Sequence, residues 1–437
     1  MNQPRDFTVK ALTRVEGAGG LRVRVEDGRV ELVEFNIYEP PRFFERLLRG
    51  REVREVPDIV ARICGICPVA YQVTACQALE SALGIVVGPE IRLLRRLLAC
   101  GEWLQSHALH IHMLHAPDFL GCDSCFTYPE AYAGLLDRGL RMKAIGSRII
   151  QVLGGRSVHP INVAVGGFHR PPDTAAVRGL IPDLEWGMHA AFDTLATVST
   201  FAFPDFTQPY ECVSLRAPEG YPMNEGRIVS STSTGTAGLD IPIDDYPEHF
   251  VERQVPHSTA LSSSIVPGDR PYLCGPLSRL NNCLADLPDG ARRAADTCGI
   301  QWPSRNMFHS IAARAIEVAA SFEEALAIAR ICRASIAPCR IDSTPHAGTG
   351  SHATEAPRGL LYHRYEIGDD GLIADATIIP PTSQNQAQIE ADVRALLPGL
   401  LSFADDDAAA GCERLIRSYD PCISCATHFI NLKIDRC

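Results

Sequence analysis

"RICGICP" (residues 62–68) and "DPCISCATH" (residues 420–428) each hold two cysteines separated by two residues, one pair early in the chain and the other close to its end. That spacing lets one metal ion take both thiols. A third pair, Cys122 and Cys125, lies between them. Joined to Cys64 and Cys67 across 54 intervening residues, it would make a four-thiolate structural zinc site, although such sites normally use a shorter intervening stretch. A thioredoxin-like redox pair fits poorly, because no βαβ pattern surrounds any of the three. The flanks favour pairing the first motif with the last: Arg62 precedes one, Asp420-Pro421 precedes the other, and His428 follows Cys425 by three residues. Four thiolates suit a soft transition metal, and on ligand chemistry alone nickel, iron and zinc all stay open.

The 437 residues are 46% apolar, enough to bury a large core in two or three domains or one interlocked unit. The net charge of −11 is spread without long acidic or basic blocks, so no nucleic-acid binding is expected. Uninterrupted apolar runs of membrane-spanning length are absent from the sequence, and the first 30 residues lack the apolar centre of a secretory signal. Neither membrane insertion nor an export address is expected. Sixteen cysteines are too dilute for a disulfide scaffold, and Cys76, Cys100 and Cys332 sit in apolar helical runs where a reduced thiol packs as a small hydrophobe. A reducing, cytoplasmic setting follows.

Residues 21–39, "LRVRVEDGRVELVEFNIYE", alternate apolar and polar side chains around Asp27-Gly28, a hairpin signal. From 51 to 150 the period becomes helical, and the run at 89–117 is expected to end at Pro117. Residues 183–203 and 310–332 read as two more helices, while 205–300 read as an irregular, β-containing insertion. The last hundred residues alternate Pro/Gly-rich loops, such as "STPHAGTGSHATEAPRG" at 343–359, with one short helix near 386–397. The expected class is α+β and predominantly α-helical: an N-terminal hairpin region (1–50), a helical core (51–204), the insertion (205–300), and a loop-rich part (301–428) closing over a buried metal site. A tail follows at 429–437.

Beyond the two cysteine motifs, five segments appear in the order of one family: "TRVEG" (13–17), "PPRFFERLLRGR" (40–51), "GRSVHPINVAVGG" (155–167), "EAPRGLLYH" (355–363) and "IIPPTSQNQ" (378–386). Together they resemble the large, catalytic subunit of nickel–iron hydrogenases over essentially the whole chain. The resemblance implies reversible heterolytic cleavage of dihydrogen. It makes Cys64 and Cys422 terminal nickel ligands, and makes Cys67 and Cys425 bridges to an iron that carries carbon monoxide and cyanide. Glu16 becomes the carboxylate that takes a proton from Cys422, and Arg358 the guanidinium over the open position between the metals. Thr382 becomes a hydroxyl donor to a cyanide, and Asp118 and Asp420 the carboxylates that orient Arg358. Glu45 and His428 become ligands of magnesium or a similar divalent ion. Read alone, Glu16 would be a surface charge, Asp420 part of an Asp-Pro turn, and Arg358 and Thr382 ordinary surface residues.

His107, His110 and His112 crowd one helix and read as core or interface histidines rather than ligands, and His159 as support for a tight loop near the site. Cys122 and Cys125 match no ligand of the family. Two departures stand out: Tyr71 occupies a place where many members carry histidine, and Ala18 replaces the histidine of "EGH". The pattern is similar to the cytoplasmic, multi-subunit branch linked to soluble cofactors. The resemblance implies an iron–sulfur small subunit, diaphorase subunits using NAD(P), nickel-insertion factors, and a maturation endopeptidase that removes residues 429–437. A Gly-x-Gly-x-x-Gly loop after a strand is missing from the sequence, so nicotinamide would bind elsewhere. A hydrogen-sensing homologue without turnover is the alternative.

Overall fold

The computed structural model describes residues 5–232, 234–332 and 339–427. Strands β1 (Arg5–Val9), β2 (Gly19–Glu26) and β3 (Arg29–Ile37) form an antiparallel sheet in that order. Asp27 and Gly28 both take positive φ, 48° and 77°, as a two-residue hairpin turn requires. The hairpin is where alternation puts it, and β1 is an added outer strand.

Helix α1 (Pro68–Ala82) begins at the residue after Cys67, with proline at its first position, where a missing N–H is no loss. Helix α2 (Pro89–Leu109) lends Glu102 to that start: the buried carboxylate accepts from Val69 N at 2.6 Å and Ala70 N at 3.0 Å. Two orphan donors of α1 are thereby satisfied. The α2 rod does not stop at Pro117. It runs through a π-helical turn, His110–His115, into a one-turn helix, Ala116–Leu120, that ends at left-handed Gly121. Pro117 stands in the first turn of that last helix, a place where proline is tolerated. Helices α3 (Gly134–Gly154), α4 (Ile181–Val198) and α5 (Ser310–Ile331) complete the central body, with α2 against α3 and α5, and α5 against α4.

The 205–300 segment is more regular than its composition suggests. Strands β4 (Glu211–Arg216), β5 (Arg227–Thr232), β6 (Ala237–Ile241) and β7 (Leu273–Cys274) make one sheet, ordered β7-β4-β5-β6. An apolar cluster joins it to the C-terminal sheet through Val213, Leu215, Leu360 and Tyr362.

The C-terminal part holds fewer loops than expected. Strands β8 (Gly348–Ala356), β9 (Gly359–Ile367) and β10 (Ile373–Ile379) form an antiparallel meander, followed by helices α6 (Pro381–Leu400), α7 (Asp405–Tyr419) and the single turn α8 (Ile423–Ala426). Glycine misled the sequence reading. A Cβ on Gly350 would come within 2.3 Å of the Ala78 carbonyl oxygen and 2.4 Å of Ala82 N, so glycine here lets β8 lie against α1 rather than turning the chain. The class remains α+β with helices dominant. One hydrophobic cluster runs from Leu48 to Cys425, crossing the compositional boundaries at 204 and 300.

Asp392 on α6 illustrates how the last helices are locked. Its carboxylate accepts from the hydroxyls of Tyr210 and Tyr419, each at 2.7 Å, and from Gln388 Nε2 at 2.9 Å. Burial raises its pKa from 3.8 to about 6, with those three bonds opposing. The folded state therefore holds this proton where the unfolded state has lost it. The contribution to stability is full below pH 3.8 and fades as pH rises through 6, on the order of 3 kcal/mol. In Asp392→Asn, thermal unfolding between about pH 4 and 6 should lose that part of the wild-type decline. An unchanged slope would assign the decline to other groups.

Candidate metal centre

Cys64 leaves a short 3-10 turn in extended conformation, Cys67 stands at the N-terminus of α1, and Cys422 and Cys425 flank the start of α8. Their sulfurs meet. Cys64 Sγ lies 3.5 Å from Cys422 Sγ, Cys67 Sγ 3.6 Å from Cys425 Sγ, and all four fall within 4.8 Å of one another. They are 1–4% exposed and form the only such cluster among the described residues. Cys122 instead donates to the Leu120 carbonyl at 3.3 Å, which overturns the zinc site built from the first two pairs. Hydrogen bonds from Cys422 and the other two thiols hold Cys64 well below the ordinary thiol range, whereas burial pushes Cys422 well above it. Four soft donors this close in a buried pocket fit a thiophilic metal.

Several contacts draw the chain ends to this point. Glu16 and Cys422 form a parallel backbone bridge, with Ile423 N donating to the Glu16 carbonyl at 3.0 Å. Gly17 permits the approach: it takes φ 89°, and a Cβ there would lie 2.7 Å from Ile423 Cβ. Arg42, inside "PPRFFE", donates from Nη2 to the Ile63 carbonyl at 2.7 Å and also to the Ser424 carbonyl. It thus holds the residues immediately before Cys64 and Cys425. Its backbone N–H donates to the Thr427 carbonyl at 2.6 Å. His159 Nδ1 bonds the Ala61 carbonyl at 2.7 Å, consistent with the loop-supporting role expected for it.

The Cys422 thiol donates to Glu16 Oε2 at 3.1 Å, and Ser424 N–H fixes the same oxygen at 3.1 Å. Ser424 Oγ in turn donates to Glu39 at 3.0 Å. Thr382 Oγ1 accepts from Cys422 N at 2.8 Å, which leaves the hydroxyl proton for another acceptor.

Arg358 is buried at the close of β8. Its Nε donates to the Asp420 carbonyl at 2.8 Å and its Nη2 to Asp420 Oδ1 at 3.1 Å. Arg314 caps the preceding carbonyls, Ser418 at 3.0 Å and Tyr419 at 3.1 Å, so two cations serve the C-terminus of α7. The segment before Arg358 is held by Arg279, which donates to both oxygens of Glu317, to Glu355, and to the carbonyls of Ala356 and Pro357. Two buried atoms beside the sulfurs have no protein partner, Arg358 Nη1 and Asp420 Oδ2. Such orphans are rare and mark a place where another group belongs.

A family model for nickel-dependent hydrogenases matches residues 42–137 and 301–428, spanning both cysteine motifs. Sulfhydrogenase 1 subunit alpha of Pyrococcus furiosus is 30% identical over 431 residues, covering 98% of each chain. The chain belongs to the nickel-dependent hydrogenase family. Sulfhydrogenase 2 subunit alpha of the same organism is also 30% identical, covering 96% of this chain and 98% of that one. Among solved structures, an NAD+-reducing [NiFe]-hydrogenase in the H2-reduced state superposes with TM-score 0.87 at 27% identity, over 97% of this chain and 99% of that one. The Ni-Fe-Se hydrogenase of D. vulgaris Hildenborough shares the fold, with TM-score 0.78 at 22% identity over 97% of this chain and all of that one. The protein is an oxidoreductase of the hydrogenase type.

In this hydrogenase one expected contact is corrected. Asp118 was expected to orient Arg358 together with Asp420. Its carboxylate instead takes Arg417 through both oxygens at 2.8 and 2.9 Å, Arg14 at 2.6 Å and His115 at 3.1 Å. Burial works against its charge, yet the bonds to His115 and Arg417 hold the carboxyl well below the usual range. Asp118 lies beyond the π-helical turn, and its carboxylate is already taken up by Arg14, Arg417 and His115 rather than left for Arg358. The histidines are paired within the core: His107 with Glu317 at 2.9 Å, His110 with the Arg417 carbonyl at 2.8 Å. His112 lies 3.4 Å from Thr194 Oγ1. Burial lowers all three. Glu45 accepts from Ile378 N at 2.8 Å, and burial raises its carboxyl to about 7. His428 and the 429–437 tail lie outside the described residues.

Arg42, Glu102, Arg279, Glu317 and Ser424 were not singled out from sequence. Of these, Arg42 and Ser424 lie within quoted motifs, a signal that could have found them. Arg42→Ala should lower nickel per purified chain several-fold by elemental analysis while leaving far-ultraviolet circular dichroism unchanged. Wild-type nickel content would contradict the bracing role. Gly17→Ala should destabilise the protein by at least about 1 kcal/mol, read as a lower unfolding midpoint, because it combines a left-handed backbone with a clash.

Proposed function

We propose that this chain is the catalytic subunit of a nickel–iron hydrogenase that reversibly splits dihydrogen into protons and electrons. The observation that carries the reading is the cluster of four buried thiols within 4.8 Å, with Glu16 hydrogen-bonded to Cys422. The donor set and the orphaned Arg358 Nη1 and Asp420 Oδ2 fit a bimetallic group with small polar ligands. Cys64 and Cys422 would be terminal nickel ligands, and Cys67 and Cys425 would bridge to an iron carrying carbon monoxide and cyanide. When bound, that group supplies the Lewis acidity and redox capacity that the reaction needs.

The chain's own residues do the rest. Cys422 Sγ takes the proton and passes it to Glu16 Oε2, 3.1 Å away, which Ser424 N–H keeps in line. Arg358, fixed by Asp420, presents a permanent charge to the pocket, and Thr382 offers its hydroxyl proton to an anionic ligand. Asp420 positions Arg358, while Asp118 stabilises the base of α7 through Arg417. Glu45 and His428 would hold a magnesium-type ion. Thr427, bonded to Arg42 N, brings the terminal motif near the Glu45 turn in support of this.

Only one cysteine cluster is gathered among the described residues, so electrons leave through a partner, an iron–sulfur small subunit. The NAD+-reducing structure supports diaphorase partners using NAD(P), and among the described residues no helix is long and apolar enough to cross a membrane. On this reading the complex is cytoplasmic and is matured by nickel-insertion factors and by an endopeptidase acting on 429–437.

Dye-linked hydrogen oxidation tests the proton route. Glu16→Gln keeps the shape and removes the exchangeable acid, so turnover should fall by about 10²–10⁴-fold at unchanged nickel content. Undiminished turnover would remove Glu16 from the route. Negligible turnover by metal-loaded wild type would favour a hydrogen sensor.

A further inference from the structure

The loop between β1 and β2 carries Glu16, and its neck closes where Leu12 N–H donates to the Gly19 carbonyl at 2.9 Å. Arg14 in this loop takes φ 57°, a left-handed backbone costly for any residue with a Cβ. Such strain persists only where the surroundings over-determine it. Here they do. Arg14 Nη1 donates to the Leu114 carbonyl at 2.8 Å and Nη2 to Asp118 Oδ1 at 2.6 Å, so its guanidinium fork spans the π-helical turn and the one-turn helix after it. The two side chains are 19% and 7% exposed, which sets this pair apart from a screened surface bridge. Asp118 is at the same time held by Arg417 through both oxygens, and Arg417 Nη1 reaches back to the Thr13 carbonyl at 3.3 Å. Arg417 belongs to α7, the helix that leads to Cys422. One carboxylate thus joins the loop that carries the proton acceptor to the helix that delivers the donor.

We propose that Arg14 is a positioning residue for the proton route: bound to Leu114 and Asp118, it holds the β1–β2 loop so that the Glu16 carboxylate stays in line with the Cys422 thiol. The inference rests on the nickel–iron reading and the proton route above. Proton transfer needs donor and acceptor within hydrogen-bond reach, and a misplacement of about 1 Å caused far from the chemistry can cost about 10²-fold. The 3.1 Å contact between Cys422 Sγ and Glu16 Oε2 has little room to lengthen. Arg14 touches no reacting atom and acts through the backbone that leads to Glu16. Its removal leaves no bare charge in the core, because Arg417 keeps both oxygens of Asp118. The expected consequence is a fold that survives and a proton step that slows.

Dye-linked hydrogen oxidation by the purified complex, measured per nickel in H2O and in D2O, separates positioning from folding. Arg14→Met keeps the stem and removes the fork. Turnover should fall by about 10–100-fold and the solvent isotope effect should rise, as a lengthened proton transfer becomes rate-limiting. Arg14→Lys, which keeps the charge and can make one of the two bonds, should fall less. Added to Glu16→Gln, Arg14→Met should cost nothing further, since both changes act on one step. An unchanged isotope effect in Arg14→Met would overturn the inference whatever the turnover, and so would a loss in the Glu16→Gln background as large as in the wild type. If Arg14→Met takes up no nickel, Arg14→Lys decides: a raised isotope effect supports positioning, and a wild-type ratio or a failure to load nickel overturns it. Undiminished turnover in Glu16→Gln alone would instead defeat the proton route, and a wild type devoid of nickel would defeat the nickel–iron reading itself.

Discussion

Four thiols, two from each end of the chain, share a pocket that excludes water, and everything around them answers the problem this creates. Each thiolate loses hydration on burial, and neighbouring thiolates repel. Residues 358 positions apart therefore stay together only because rigid parts hold them from several sides. Arg42 ties the carbonyls preceding Cys64 and Cys425, the Glu16–Cys422 bridge closes the N-terminal loop on the last motif, and Glu102 secures the helix that follows Cys67. Arg358 adds a positive charge beside the sulfurs.

This arrangement links assembly to folding. Nothing local to either motif supplies four sulfurs, so the cluster exists only when the N-terminal loop, α1, α7 and α8 are in register. Metal binding to such a site adds its free energy to the completed fold. The buried network of Arg279, Glu317 and Glu355 serves the same end at one remove, since it fixes the strand that delivers Arg358. Such a network gives position more than stability, because removal of one member leaves an uncompensated charge in the core.

Much of this could be read before any coordinates. Alternation at residues 21–39 and the helical period at 89–117 marked β2, β3 and α2, because each pattern survives from sequence to burial. The two cysteine motifs, with Glu16, Arg358, Asp420 and Thr382, came from the resemblance, and the structure gathers them around the sulfurs. Residues that work at a distance were harder to see. Glu102 and Glu317 look like solvated charges on helices, since nothing in one dimension shows that the C-terminal half of α2 and the N-terminal half of α5 are buried on every face. Gly348 and Gly350 suggested a loop where they permit a strand to meet a helix. Asp118 serves a different arginine from the one the resemblance implies, because Arg14, Arg417 and His115 occupy its carboxylate, a set of partners from distant parts of the chain.

X-ray absorption at the nickel edge, recorded on the assembled enzyme, tests the central claim most directly. Sulfur scatterers from all four cysteines around one nickel, with an iron atom as the nearest metal, is the result this account predicts. A nickel shell made chiefly of nitrogen or oxygen, or one with only two sulfurs, would show that the two ends of the chain do not share a single centre.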